Sequence, residues 1–151
     1  MKNLVLLTCM LFSLLSCSTT RNISKDHKQT LIDDRTFLVT AVSKDKTYGL
    51  TPENPVEVGG VGTSEGPLNE RRYLNALTGP NGEPISYYRA GSCCPIKSDK
   101  AIFGDKVMLD NYRVVWEGSK DTVSIFINMY DSGKLMAPVG FGIKKMNATK
   151  L

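Results

Sequence analysis

Histidine is nearly absent from this sequence, which contains a single one, His27, in 151 residues. Mechanisms that combine Ser, His and Asp, or Cys and His, require histidine in the folded part of the chain, as do metal sites built on imidazoles. His27 lies in a polar segment that we expect to be a tether, so these mechanisms are excluded for the folded domain. A hydrolase here would depend on carboxylates. No acidic pair close in the sequence demands one, and a pair assembled in space by the fold is the open alternative.

An excess of either charge is also lacking. Lysine and arginine together number 19, and aspartate and glutamate 15, which gives a net charge of +4. The basic residues are scattered among the acidic ones rather than gathered in a stripe, so the pattern does not indicate a nucleic-acid partner. The composition indicates no cofactor and no metal site.

Long hydrophobic runs are missing except near the N-terminus. Lys2 precedes an apolar run of about a dozen residues, the size of a secretory signal and shorter than the roughly 20 residues of a membrane-spanning helix. The run ends in Leu14-Leu15-Ser16-Cys17, which resembles the lipobox of bacterial lipoproteins. That resemblance implies cleavage after Ser16 and acylation of Cys17. The alternative is a plain secretory signal that ends by chance at a cysteine.

The lipoprotein interpretation divides the chain into four segments. Residues 1–16 form the signal peptide, 17–35 the lipidated N-terminus and a flexible tether, 36–146 one globular domain, and 147–151 a short tail. The tether is predicted because its residues are polar and lack periodicity. We expect the protein to be held in the bacterial cell envelope by lipid on Cys17, at the outer membrane, facing the periplasm or the cell surface.

The alternation of apolar and polar residues predicts an α+β domain. Strands are expected at residues 37–42, 56–58, 85–89, 112–117, 123–129 and 139–143, separated by short polar turns that are typical of an antiparallel meander. One helix is expected between Pro67 and Gly79, with an apolar face of Leu68, Tyr73, Leu74 and Leu77. Arg71, Arg72 and Asn75 would face solvent. The prediction is an antiparallel sheet of five or six strands with one helix packed on it.

The adjacent cysteines Cys93 and Cys94 are the most distinctive chemical feature of the predicted domain. Neighbouring Cα atoms lie about 3.8 Å apart, below the usual disulfide range of roughly 4.4–6.8 Å. A vicinal disulfide that stiffens a loop, two reduced thiols on opposite faces, and a redox or thiol-exchange site all fit the pattern. A metal site would need further ligands. Pro95 favours an extended backbone at Cys94.

Two further features suggest a binding surface. A glycine-rich loop, residues 59–66, precedes the predicted helix, and backbone amides at a helix start can hold an anion. A simple tight turn is the alternative, and the Gly-x-Gly-x-x-Gly spacing is absent. Tyrosine and arginine favour interfaces, although strands favour tyrosine anyway. The candidate ligand or partner residues are Arg71, Arg72, Tyr87, Tyr88 and Arg89.

Several segments resemble those of a family of small, functionally uncharacterised bacterial lipoproteins, over residues 37–145. The segments are Tyr48-Gly49, NPVEVGG at 54–60, RYLNAL at 72–77, GPNG at 79–82, GSCCP at 91–95 and NMYD at 128–131. Family members sometimes carry the label 2-dehydro-3-deoxyphosphooctonate aldolase. That activity belongs to a barrel of about 250 residues with eight helices, so this shorter chain with one predicted helix does not support the label.

The favoured interpretation is a membrane-anchored envelope module without enzymatic activity. It would bind a protein, a glycan or a small molecule, or support envelope architecture. The alternative is a thiol or redox protein that uses Cys93 and Cys94.

Overall fold

A computed structural model describes residues 27–145. Cys17, the predicted signal peptide, most of the predicted tether and the predicted tail lie outside the described residues. The elements are β1 Leu31–Asp33, β2 Thr36–Phe37, β3 Val56–Glu57, α1 Gly66–Leu74, β4 Leu77–Thr78, β5 Ile85–Lys97, β6 Lys106–Trp116, β7 Val123–Asn128 and β8 Gly142–Ile143, with a turn of 3-10 helix at Val61–Thr63. The predicted α+β class is confirmed, with eight strands in the described part rather than five or six.

The largest sheet has four strands in the order β3, β7, β6, β5. Strands β5, β6 and β7 form the predicted antiparallel meander, and β5 and β6 are much longer than predicted. Strand β3 pairs with β7 in parallel, with Val56 opposite Ile127. The meander prediction is wrong for this edge, because alternation indicates which side chains are buried but not the direction of a neighbouring strand.

Two small sheets pair β1 with β2 and β4 with β8. Strand β1 lies within the segment predicted as tether. The strand predicted at 37–42 is reduced to Thr36–Phe37 and one isolated bridge at Val42, and the strand predicted at 139–143 is reduced to Gly142–Ile143. In both segments, fewer residues pair with a neighbouring strand than the length of the apolar run suggested.

Helix α1 begins where Pro67 predicts but ends at Leu74, before the predicted stop at Gly79. Leu77 leaves the helix and pairs with Ile143 in β4 and β8. Apolar residues spaced by three and four fit another helical turn equally well, which is why the pattern missed this strand. The buried face is also different: Leu68 is only half-buried, whereas Glu70 is fully buried.

The core lies between α1 and the four-stranded sheet. Tyr73 and Leu74 of α1 are completely buried and belong to the same apolar cluster as Val114, Ile125 and Ile127 of the sheet. Burying a side chain of this size contributes about 1.5–3 kcal/mol. This packing fixes α1 over β6, and it brings the helical Glu70 above the sheet.

Candidate functional site

Cys93 and Cys94 form a disulfide bond within β5. Their Cα atoms are 3.7 Å apart, the spacing of an ordinary trans peptide. The ladder between β5 and β6 is irregular here, so that Cys94 and Pro95 together oppose Met108. Strand β5 is the outer strand of the sheet and both cysteines are half-buried, which places the disulfide at a partly exposed rim.

The backbone of Cys94 has a φ of +56°, in the left-handed region. The expectation that Pro95 would keep Cys94 extended is therefore wrong. A bulge often requires a residue in an unusual conformation, and here the irregular ladder outweighs the preference that the proline imposes. Residues other than glycine adopt this conformation at a free-energy cost of roughly 1–2 kcal/mol.

A polar cluster around the buried Asp110 begins immediately before the cysteines. Ser92 donates a hydrogen bond to Asp110 Oδ1 over 2.8 Å. Arg89 donates to both oxygens of the same carboxylate, from Nε over 2.5 Å and from Nη2 over 2.7 Å, and it also donates to the Ser92 hydroxyl. Asp110 is only 4% exposed, so Arg89 and Ser92 compensate for the burial of its charge.

Glu70 of α1 faces this cluster from above the sheet. The Tyr112 hydroxyl donates to its Oε2 over 2.9 Å, while Oε1 has no hydrogen-bond partner among the described residues. Burial, reinforced by the negative charge of Asp110, raises the pKa of Glu70 to about 7. The hydrogen bond from Tyr112 opposes the rise. Two carboxyl groups thus share a buried region in which Glu70 binds a proton at mildly acidic pH.

A separate cavity of about 760 Å³, which we call the N-terminal cleft, opens beside the glycine-rich loop. Residues 27–29 form one wall, because the backbone N–H of His27 donates to the Ser132 carbonyl and the Gln29 amide donates to the Gly133 carbonyl over 2.8 Å. The other walls combine apolar and polar groups. They include the apolar residues Leu31, Phe37, Val58, Val61 and Ile102, the glycines Gly59, Gly60 and Gly62, and the polar residues Glu65, Asn69, Lys100 and Tyr130.

The two arginines of the predicted binding surface have different environments. Arg71 is exposed. Arg72 was expected to face solvent, but its side chain is only 11% exposed. It donates to the Glu65 carboxylate, to Asn69 Oδ1 and to the Asp34 carbonyl. Arg72 therefore holds the start of α1 against the β1–β2 turn.

The three candidates on β5 divide between the two faces of the strand. Tyr87 is half-buried and donates to Asn75 Oδ1 over 2.8 Å. Tyr88, the next residue, is 59% exposed on the opposite face. Arg89 is held by Asp110, as described above. The five candidates do not form one continuous surface, and only Arg89 belongs to the polar cluster.

Sequence reasoning missed Glu70, Asp110 and Tyr112. Glu70 precedes Tyr73 and Leu74 by three and four residues, so helical spacing already places it on their buried face. Asp110 precedes the buried Tyr112 and Val114 by two and four residues in β6, so strand alternation places this second acidic residue on the core face. Two acidic residues at core positions could thus have indicated a buried polar site from the sequence. That they lie close together could not be predicted, because it depends on the packing of α1 on β6.

Neither family models, curated proteins nor solved structures yield a match to this chain. Within residues 27–145, no helix is long and apolar enough to cross a membrane. The same residues contain no group of three or more His, Cys, Asp or Glu side chains arranged to hold a metal ion.

Proposed function

We propose that this protein is a membrane-anchored module of the cell envelope that binds a small ligand in the N-terminal cleft and has no enzymatic activity of its own. The sequence of the N-terminus supports anchoring through lipid on Cys17. The observation that carries the binding role is the cleft, whose wall includes residues 27–29, where the tether joins the domain.

The lining of the cleft favours an amphipathic ligand. Binding sites for small molecules are mostly apolar, with a few polar groups that orient the ligand. Leu31 and Ile102 offer exposed apolar surface, and Lys28 and Lys100 bring positive charge to its border. The acidic residue of the lining, Glu65, is paired with Arg72. We infer a ligand with an apolar body and an acidic group. Because residues 27–29 form part of the wall, such a ligand would also stabilise the junction between tether and domain.

Blocking the cleft tests this proposal. Gly62 lines the cleft and an ideal Cβ there meets no atom within 4 Å, so Gly62→Phe adds a ring to the lining without a steric conflict at its first carbon. The probe is anilinonaphthalene sulfonate, which joins apolar rings to an anionic group. We expect saturable binding to the native protein and a loss of binding in Gly62→Phe.

The matched control is Lys120→Phe, which adds the same ring at an exposed turn between β6 and β7. Equal binding by all three proteins would refute the proposed cleft. Anchoring is tested separately by mass spectrometry of the mature protein from envelope membranes. An acylated N-terminal Cys17, and release of the Cys17→Ser protein from the membrane fraction, support the anchor, and an unmodified N-terminus contradicts it.

A second candidate function is thiol exchange at Cys93 and Cys94. It is favoured by the half-buried disulfide on an outer strand and by the contact of the preceding residue, Ser92, with Asp110. Reduction would convert the disulfide to two thiols, with two electrons and two protons taken from a dithiol partner protein that becomes oxidised. Ser92 precedes Cys93 and donates to Asp110, so a change in the backbone at the cysteines would reach the polar cluster through this residue.

Alkylation with and without graded reduction tests the redox role. A redox role requires that the pair opens at moderate potential, and that Cys93→Ser with Cys94→Ser abolishes a cellular phenotype while the domain stays folded. If the double variant only melts at a lower temperature, the pair is structural and this candidate fails.

A further inference from the structure

The loop between β5 and β6, residues 98–105, carries two strongly exposed apolar side chains. Ile102 is 73% exposed and Phe103 is 90% exposed. Each leaves an apolar surface in water that could be covered by a partner. We call these two residues the apolar tip. Both stand at the end of a long hairpin, so they project from the sheet rather than covering its core.

The apolar tip lies at the same end of the molecule as the start of the domain. Ile102 and His27 both line the N-terminal cleft, together with the partly exposed Leu31. Nine residues lie between Cys17 and His27, and the ten steps from one to the other span at most about 35 Å. A lipid on Cys17 would therefore keep the apolar tip within reach of the bilayer surface.

The charges around the loop suit a bilayer surface. Lys97 and Lys106 are paired across the base of the hairpin, and Lys100 stands within the loop, beside Asp99 and Asp105. The segment 97–106 therefore has three basic and two acidic side chains, a net charge of +1. The small excess leaves the apolar side chains as the main source of affinity, with lysines placed to meet anionic headgroups.

We propose that the apolar tip inserts into the lipid interface and holds the domain against the membrane in one orientation. This inference rests on the anchoring at Cys17 contained in the proposed function. The anchor keeps the local concentration of the tip at the bilayer high, so two side chains suffice for an attachment that would be weak in a free protein. The N-terminal cleft would then open next to the bilayer surface.

The test uses the mature chain from Cys17, coupled through that thiol to a maleimide lipid in vesicles of phosphatidylethanolamine and phosphatidylglycerol. Phe103→Trp places a fluorophore at the tip, and the signal of the wild-type protein, which contains Trp116, is subtracted. We expect the emission of Trp at position 103 to shift to shorter wavelength and to be quenched by lipids with brominated acyl chains.

Tyr88→Trp is the matched control, because Tyr88 is an exposed aromatic residue away from the tip. Its emission should not change. If both tryptophans remain in a water-like environment, the proposal is wrong. Chemical coupling does not depend on lipidation in the cell or on ligand binding, so this result is distinct from a failure of the proposed function.

A second copy of the chain is the alternative partner for the apolar tip. Light scattering of the uncoupled Cys17→Ser protein distinguishes it. A monomer in the absence of vesicles supports the membrane proposal. A dimer that Ile102→Ser with Phe103→Ser converts to a monomer, with an unchanged melting temperature, would overturn it.

Discussion

The Tyr112 hydroxyl donates a hydrogen bond to Glu70 Oε2 over 2.9 Å, although the two residues are 42 positions apart in the sequence. The contact joins α1 to the central strand β6 inside the core. The hydrogen bond satisfies one oxygen of the Glu70 carboxyl group. A second buried acidic residue, Asp110, lies nearby. The region therefore stores unfavourable electrostatic free energy that depends on pH.

The stability contributed by Glu70 should fall as pH rises. Its pKa is about 7 in the folded protein and near 4.5 in the unfolded chain. The folded state thus binds the proton more tightly, and the contribution is complete below about pH 4.5 and lost as pH rises through about 7. Glu70→Gln is neutral at every pH. Relative to wild type, its free energy of unfolding should increase by about 3 kcal/mol across this window.

Urea denaturation at several pH values measures the difference between Glu70→Gln and wild type, in which the other titrating groups cancel. Tyr112→Phe removes the hydrogen bond that lowers the pKa of Glu70, so it should move the transition to higher pH. Parallel stability curves for wild type and Glu70→Gln would show that Glu70 has the same pKa in the folded and unfolded states.

Arg89 should contribute mainly by compensating for the charge of Asp110. Arg89→Met leaves a buried carboxylate without its cation and should cost about 2–3 kcal/mol of unfolding free energy, less than for a fully buried pair because Arg89 is partly exposed. With Asp110→Asn in place, the same substitution should cost less. A double-mutant cycle in urea checks this, and additive effects would refute the pairing.

The left-handed backbone at Cys94 should favour glycine once the disulfide is absent. In a Cys93→Ala background, Cys94→Gly should be more stable than Cys94→Ala by about 1 kcal/mol, the reverse of the order in an extended strand. Thermal denaturation compares the two variants. Greater stability of the alanine variant would mean that the bulge relaxes to an extended conformation without the disulfide.

Gly49 should be intolerant of a side chain. Its φ is +71°, and a Cβ would lie 2.8 Å from Cγ2 of Val56 in the core. Gly82 also has a positive φ, +95°, but a Cβ there meets nothing within 4 Å. Gly82→Ala should therefore cost about 1 kcal/mol, and Gly49→Ala about 1–3 kcal/mol more, because it adds overpacking to backbone strain. Equal melting temperatures would contradict this difference.

The local signals in the sequence predicted the β5–β6–β7 meander well, because alternation and polar turns are sufficient to define hairpins. They also placed the start of α1 correctly, since Pro67 is favoured in a first helical turn. These local signals could not predict which distant segments pair. The parallel pairing of Val56 with Ile127 joins segments about 70 residues apart, and nothing in the sequence of either segment indicates the other as its partner.

The candidate site was predicted only in part. Cys93 and Cys94 stand out in the sequence because their reactivity is intrinsic to the residue type. Glu70 could not be recognised in this way, because its raised pKa results from burial and from the charge of Asp110, which lies in a different element, β6. The N-terminal cleft likewise combines residues 27–31, 58–65 and 130–132, whose meeting depends on the complete fold.

Strand β5 has 13 residues and one edge without a partner strand in the described part of the protein. A straight outer strand of that length would be a template for pairing with another unfolded or folded chain, and so a starting point for aggregation. The irregularities after Arg89 and after Cys93 interrupt it, and Pro95 removes one amide donor. Whatever else the cysteines do, the irregular ladder that they occupy interrupts the edge on which another chain could pair.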